Sequence, residues 1–558
     1  MAEYLSPGVY VEEYDSQKIT EIRGVDTSTA GFIGLAERGP VNEPPVLITS
    51  YKEFTQKFGG YLSEADYGSY RYLPGSVEQF FSNGGSRCYI ARVIPANAKT
   101  AKAVSTNLIV EAANEGSWGN SITLNIQNTT RKKMQLIKKL AEKIYHAKTT
   151  AGFEQGSIVQ FGEEYNRIVT INDNQVVFEY EFSQNVVEER IVPEKFISLS
   201  ELAVTVNSGD ILESFTDINL NPASPNYMEA VMKNSELVKI NIIPAAELAD
   251  PAKILLGDYN GKIVLSGGSD GTMDQVNAAT FIGVDNGKGK QNGIQSFKEN
   301  NTVRTMAVPG ITMPEVVLSL ISHCENNRNR FAVIDMPQEM SDLSELTQYR
   351  NMVDSSHAAM YHPWIQIFDR FAKKSSFFPP SGAVLGVYSR TDHTRGVHKA
   401  PANEVVNCTG LKFNLSGEEQ DILNPKGINL IRSMPGIGIR IWGARTASSN
   451  SSFRYLNIRR LFIYIEESMK VYIDLVKYEP NDCNLWNRIQ LSVSSFLNTV
   501  WRNGMLAGST PDESYFINIG PTTMTKDDIL NKRLIFDVGI APTRPAEFII
   551  FRIRQDMS

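Results

Sequence analysis

The chain has 558 residues, 42% hydrophobic and 21% charged, with 55 basic against 62 acidic side chains for a net charge of −7. These are ordinary globular proportions, which exclude a wholly disordered chain, and the length predicts three or four units at roughly 150 residues each. The weak negative charge excludes a general electrostatic attraction to nucleic acid or to an anionic membrane.

From the N-terminus, TAGFIGLAERGP, Thr29 to Pro40, and NEPPVLITS, Asn42 to Ser50, read as apolar strands bounded by Gly and Pro. The stretch SYKEFTQKFG, Ser50 to Gly59, spaces Tyr51, Phe54 and Phe58 at helical intervals behind a Ser N-cap and before a Gly stop. PGSVEQFFSNGG predicts a second helix stopped by Asn83 and Gly84, and RCYIARV, Arg87 to Val93, a strand. Alternating strands and helices favour an α/β layer.

Near residue 100 the texture becomes β-rich. NLIVEAANEGSWGNSITLNIQN predicts two strands around a tight Gly116 to Asn120 connection, and SIVQFGEEYNRIVTINDNQVVFEYEF predicts further strands with a hairpin at NDNQ. The lysine-rich RKKMQLIKKLAEKIYHAK, from Arg131 to Lys148, reads as a solvated amphipathic helix, and SPNYMEAVMKNS as another helix.

After residue 300 alternation resumes with VRTMAVPG (strand), PEVVLSLISHCENN (helix), RFAVIDMP (strand) and HPWIQIFD (strand). Apolar strands of this kind suit a parallel sheet covered on both faces. FFPPSGAVLGVYSRTDHTRGVHKAPANE is dense in Pro and Gly and predicts a long ordered loop suited to an interface. Two long amphipathic helices follow, joined by KYEPNDCN, and then a last β segment. In the terminal PAEFIIFRIRQDMS, Phe551 and Ile553 alternate with Arg552 and Arg554, the period-two pattern of a strand. A strand at a free end either docks into its own sheet or presents an edge to another chain.

Reactive chemistry is sparse. Gly267 to Gly271 fits G-x-S-x-G after a strand, but the Gly- and Asn-rich continuation lacks the helix that a nucleophile elbow requires. The Gly-Lys pairs lack a phosphate-binding frame. His357 with His362, and His393 with His398, are five apart, which separates side chains on a helix by about 140° and does not suit a metal pair. Glu466 and Glu467 are adjacent and diverge. Cys88, Cys324, Cys408 and Cys483 lie far apart and read as reduced thiols. The first residues lack the basic and apolar blocks of a Sec-type signal, and no apolar run approaches the ~18 residues of a membrane span.

Several segments together closely resemble the contractile tail sheath family of myophage tails, R-type bacteriocins and extracellular contractile injection systems. They are residues 6–13, 27–60, 80–93, 116–120, 379–404, 424–446, 454–469 and 541–555, with about 125 to 260 matching less clearly. The resemblance implies a multi-domain α/β (α+β) fold: a sheath core of mixed sheet with flanking helices, an inserted mainly β domain, and extended β arms at both ends. The expected divisions are an N-terminal linker arm at 1–25, core at 26–104, insertion at 105–265, core at 266–420, and a C-terminal domain at 421–558.

By the same resemblance the chain is a structural subunit, with no cofactor and no catalysis. Its hexameric rings would stack helically around an inner tube, meet baseplate and terminal cap proteins, and contract to drive the tube through a target envelope. It would be assembled in a bacterial cytoplasm and act in a phage tail or an extracellular particle, with no nucleic acid partner and no membrane insertion. The arms, about Ser6 to Tyr14 and Glu547 to Arg554, would bridge subunits by β-augmentation through Pro7, Val9, Tyr10, Val11, Phe548, Ile549, Phe551 and Ile553. Arg459, Arg460 and Lys470 are the tube-facing candidates. A Ser-dependent α/β hydrolase and a non-contractile phage structural protein are the rival readings.

Overall fold

The structure is a computed structural model that describes residues 21–547 apart from 131, 189, 193, 194, 210, 246 and 247. Its centre is a nine-stranded sheet in the order Val46–Ile48, Cys88–Val93, Ala30–Leu35, Thr305–Ala307, Phe331–Asp335, Ala358–His362, Ile428–Met434, Gly438–Ile441 and Glu404–Val405. The six strands from Cys88–Val93 to Ile428–Met434 run parallel, and antiparallel strands close both edges. Every residue of AGFIGL, FAVID and AAMYH is buried, as a sheet covered on both faces demands.

Alternation divides these strands between two cores. Phe32, Val333 and Ala359 face the helices Tyr51–Phe58, Leu73–Ser82 and Ser381–Arg395, while Ile33, Ile334 and Met360 face Pro314–Asn327 and Leu343–Asn351. The first helix is capped as its sequence predicts: Ser50 Oγ accepts the Glu53 N–H at 3.2 Å, and Gly59 ends it at φ +88°.

Residues 381–395 correct the expected loop. They form a helix whose Gly382 and Gly386, one turn apart, lie flat on the Leu73–Ser82 helix. A Cβ on Gly382 would stand 2.2 Å from the Ser76 carbonyl oxygen, and one on Gly386 2.4 Å from that of Phe80. These glycines serve close helix packing rather than turns. The helix start is fixed by Asp335, whose carboxylate accepts from Ser381 N–H at 2.8 Å, Ser381 Oγ at 2.6 Å and Gly310 N–H at 3.0 Å.

The lysine-rich segment is a second correction. It is a β-hairpin, Lys133–Ala141 with Ile144–Ala147, turning at Glu142 and Lys143. Met134, Leu136, Tyr145 and Ala147 point inward with Val159, Phe178 and Ile197, so a period of two governs the segment despite its lysines. It belongs to a closed six-stranded barrel that also holds the NDNQ hairpin, with Asn172 opposite Gln175 and Asp173 at φ +50°. The same stretch of chain also forms a four-stranded sheet, which carries Thr123–Thr129 and Glu201–Ser208, and a three-stranded sheet with Leu108–Ala112 and Val238–Ile242. The strands flanking Gly116 to Asn120 therefore sit in different sheets.

At the C-terminal side the helices Leu456–Leu475 and Cys483–Arg502 pack through Leu461, Ile465, Ile489, Val493 and Leu497. Tyr515–Ile519 and Phe536–Ile540 form a two-stranded antiparallel sheet against them.

Candidate assembly interface

The motifs that suggested chemistry are structural. Ser269 exchanges backbone hydrogen bonds with Lys99 at 2.8 and 2.9 Å, and its Oγ accepts the Gly271 N–H; the next elements are a three-residue 3-10 turn, Met273–Gln275, and a five-residue helix, Ala278–Ile282, whose start is nine residues beyond Ser269. His357 and His362 are buried in the sheet layer, and burial lowers both of their pKa values. Among the described residues no group of three or more His, Cys, Asp or Glu is placed to hold a metal ion, and no helix is long and apolar enough to cross a membrane.

The arm positions Pro7, Val9, Tyr10, Val11, Phe548, Ile549, Phe551 and Ile553 lie outside the described residues. The described residues that adjoin these positions, the roots of the expected arms, contact the Leu456–Leu475 helix at one end of the chain and Tyr455, just before that helix, at the other. Glu547 accepts from Asn424 Nδ2 at 2.6 Å, from Arg445 Nη2 and Nε at 2.7 and 3.0 Å, and from Tyr455 Oη at 2.7 Å. Burial works to raise its carboxyl, but these bonds outweigh it and hold the group below its ordinary value. Tyr455 is the residue that precedes the helix. Beside this root a cleft of about 750 Å³ is lined by His398, Arg432, Trp442 and the segment Thr543 to Glu547.

At the other root, Ile22 is buried among Leu461, Ile465 and Tyr472. Gly24 passes so close over Tyr464 that a Cβ would stand 2.1 Å from its hydroxyl oxygen. Val25 N–H donates to Ser468 Oγ at 3.1 Å, Arg460 Nη2 to the Thr27 carbonyl at 3.2 Å, and Arg304 Nε to the Asp26 carbonyl at 3.2 Å.

The three charged candidates on this helix have separate settings. Arg460 is buried, paired with Asp392 and lying 4.7 Å over the Tyr388 ring. Its guanidinium is engaged inside the subunit. Arg459 stacks 3.5 Å over Phe453 and donates to Ser356 Oγ. Only Lys470 is exposed, near Glu467 at 3.5 Å. Beyond it the helix end presents Val471 and Leu475, with Tyr478 just past it, all exposed.

The two-stranded sheet completes the surface. Each of its strands has a hydrogen-bonded neighbour on one side only among the described residues, and Phe516 is exposed.

Comparison with known proteins gives the same direction. A family model for the phage tail sheath protein central domain matches residues 286–447, and one for the phage tail sheath C-terminal domain matches residues 448–556. The tail sheath protein of Escherichia phage P2 is 23% identical over 322 residues, covering 55% of this chain and 78% of that protein. That of Salmonella phage ViI is 24% identical over 189 residues, and the match spans only 29% of this chain and 30% of the phage protein. The cryo-EM structure of the PVC sheath complex of an extracellular contractile injection system, in its contracted state, shares 20% identity and a TM-score of 0.54 over 100% of this chain and 99% of that one. Sheath domains laid end to end over the C-terminal half, on a fold shared along the whole length, place the chain in the contractile tail sheath family as a structural subunit.

Proposed function

We propose that the chain polymerises as stacked hexameric rings around an inner tube and contracts to drive that tube through a target envelope. The observation that carries this reading is that, among the described residues, each strand of the Tyr515–Ile519 and Phe536–Ile540 sheet is paired on one side only. A two-stranded ribbon is marginal by itself, and an open edge is a template for a strand from another chain. The strand-patterned termini are the strands it would accept. Backbone pairing of this kind ties subunits together while their domains change packing, which suits a two-state assembly that stores energy without ligand turnover. A sheath relative captured in a contracted state supports such a second packing.

Under this reading the tube meets the end of the Leu456–Leu475 helix at Lys470, Val471 and Leu475, while Arg460 serves the interior. Baseplate and cap proteins would meet the ends of the polymer. Deleting Phe548 to Ser558 tests the proposal: the shortened subunit is expected to fold and stay unpolymerised. Tubes of sheath diameter from it, seen by negative-stain microscopy, would overturn the arm-based assembly.

A further inference from the structure

We propose that the Leu456–Leu475 helix is a strut holding the roots of a subunit's two arms at a fixed separation, so that a pull arriving from one neighbouring copy passes rigidly to the other. This rests on the reading that the termini are inter-subunit arms. Two separate clamps support it, one that includes Tyr455, the residue before the helix, and one on the helix itself. The C-terminal root is gripped at the helix start, where the Glu547 carboxylate takes four hydrogen bonds from Asn424, Arg445 and Tyr455, three residues of separate segments. The N-terminal root is gripped about three and a half turns further on, where Val25 bonds to Ser468, Gly24 lies on Tyr464, and Ile22 fills the groove between the two long helices.

The separation is set by the hydrogen-bonded helix. From Tyr455 to Ser468 the helix rises about 20 Å at 1.5 Å per residue. Its sequence, LNIRRLFIYIEESMKVYIDL, contains neither Pro nor Gly, so no kink is built in. It is splinted by the Cys483–Arg502 helix, with Tyr472 Oη and Ser492 Oγ 2.9 Å apart.

The clamps also fasten the strut to the central sheet. Arg304, at the start of the Thr305–Ala307 strand, donates to the Asp26 carbonyl and pairs with Glu467 of the helix at 3.5 Å. Arg460 of the helix reaches both the Thr27 carbonyl and Asp392 of the Ser381–Arg395 helix. Each arm root is thus tied to the same body, and neither can swing against it without breaking charge-assisted hydrogen bonds.

The test uses the full-length chain carrying Glu547→Ala, Glu547→Gln or Gly24→Val, with deletion of 548–558 run in parallel. Each variant is measured for subunit melting, tube yield and helical order in electron micrographs. The expected result is that melting falls for Glu547→Ala, which strands the buried Arg445, but that all three variants stay folded at the assay temperature and tubes form. The fraction of tubes with a single helical repeat should then fall about tenfold for Glu547→Ala and Gly24→Val, and less for Glu547→Gln, which keeps one acceptor oxygen. Wild-type helical order in both Glu547→Ala and Gly24→Val would overturn the strut, and so would a loss of order that merely follows a collapse in melting across all three variants. Polymerisation by the 548–558 deletion would instead overturn the arm reading itself, so the two failures are distinguishable.

Discussion

Arg460 donates to the Asp392 carboxylate through Nη1 at 2.9 Å and Nη2 at 2.5 Å, with both side chains almost wholly withdrawn from solvent. Burial pushes the Asp392 carboxyl up, against the pull of Arg460 and of Thr27, whose hydroxyl also donates to it. Removing one partner of a buried pair leaves a stranded charge, a loss of about 3–5 kcal/mol. Arg460→Met is therefore expected to lower subunit stability by roughly that amount in denaturant unfolding. A change under about 0.5 kcal/mol, the size of an ordinary surface substitution, would show that the pair does not hold the subunit together.

Gly382 and Gly386 give a steric prediction. Backbone oxygens of the Leu73–Ser82 helix stand where their side chains would be, and backbone cannot swing aside as a side-chain tip can. Gly386→Ala should force the two helices apart at a cost of about 1–3 kcal/mol or more. Gly417, at the start of the Gly417–Leu423 helix, has open space around its Cβ position and no positive φ. Gly417→Ala is expected to be neutral or stabilising, by up to about 1 kcal/mol. Equal effects of the two substitutions on thermal unfolding would refute the packing account.

Acidification should weaken the unassembled subunit. Burial pushes His323 down to about 3, helped by the Arg330 charge, and His362 down to about 4. His323 Nε2 lies 2.8 Å from Arg330 Nη1 and accepts from it, which requires the neutral ring. An unfolded chain protonates both rings near pH ~6.5. Between about 6.5 and 4 it binds protons that the native state refuses, so stability falls as pH falls through that window. Asp335, raised to about 6 by burial, acts oppositely: the native state keeps its proton while the unfolded chain releases it near ~3.9, so its contribution grows as pH falls from about 6 to 4. Among these three groups, the two rings outweigh the one carboxyl, so their combined contribution falls on acidification. His323→Gln should flatten the stability profile between pH 4 and 6.5. An unchanged slope would assign the acid response to other groups.

Capping, strand alternation and the two long helices were readable because they are local: Ser50 before Tyr51, the buried FAVID run, and the apolar periodicity of residues 456–502 each carry their own signal. The Ser381–Arg395 helix was not, since a glycine meant for a turn and a glycine meant for helix contact look alike until the partner helix is known. The Lys133–Ala141 strand was hidden because its exposed lysines mask an inward row of Met134 and Leu136. Arg460 looked like a surface charge because its partner, Asp392, is 68 residues away. Of the assembly surface, the strand pattern of the termini was legible, whereas the grip of Asn424, Arg445 and Tyr455 on Glu547 depends wholly on tertiary placement.

The end of the Leu456–Leu475 helix yields a prediction that separates folding from assembly. Val471 and Leu475 are 54% and 64% exposed and lie four residues apart, so they share one side of the helix, and Tyr478, 104% exposed, follows past the helix end. Subunit folding makes little use of these side chains, because they stand exposed around the end of the helix, where Ser468 and Tyr472 are the buried residues. Val471→Glu with Leu475→Glu should therefore leave subunit stability within about 0.5 kcal/mol. If this end is where the subunit grips an inner tube, the same double variant loses its apolar contact and adds two charges to desolvate, so tube binding should fall by at least tenfold. Co-sedimentation of the variant sheath with purified inner tube measures this, with Lys470→Glu testing the charged rim. Undiminished binding by the double variant, with the subunit folded, would move the tube contact to another face.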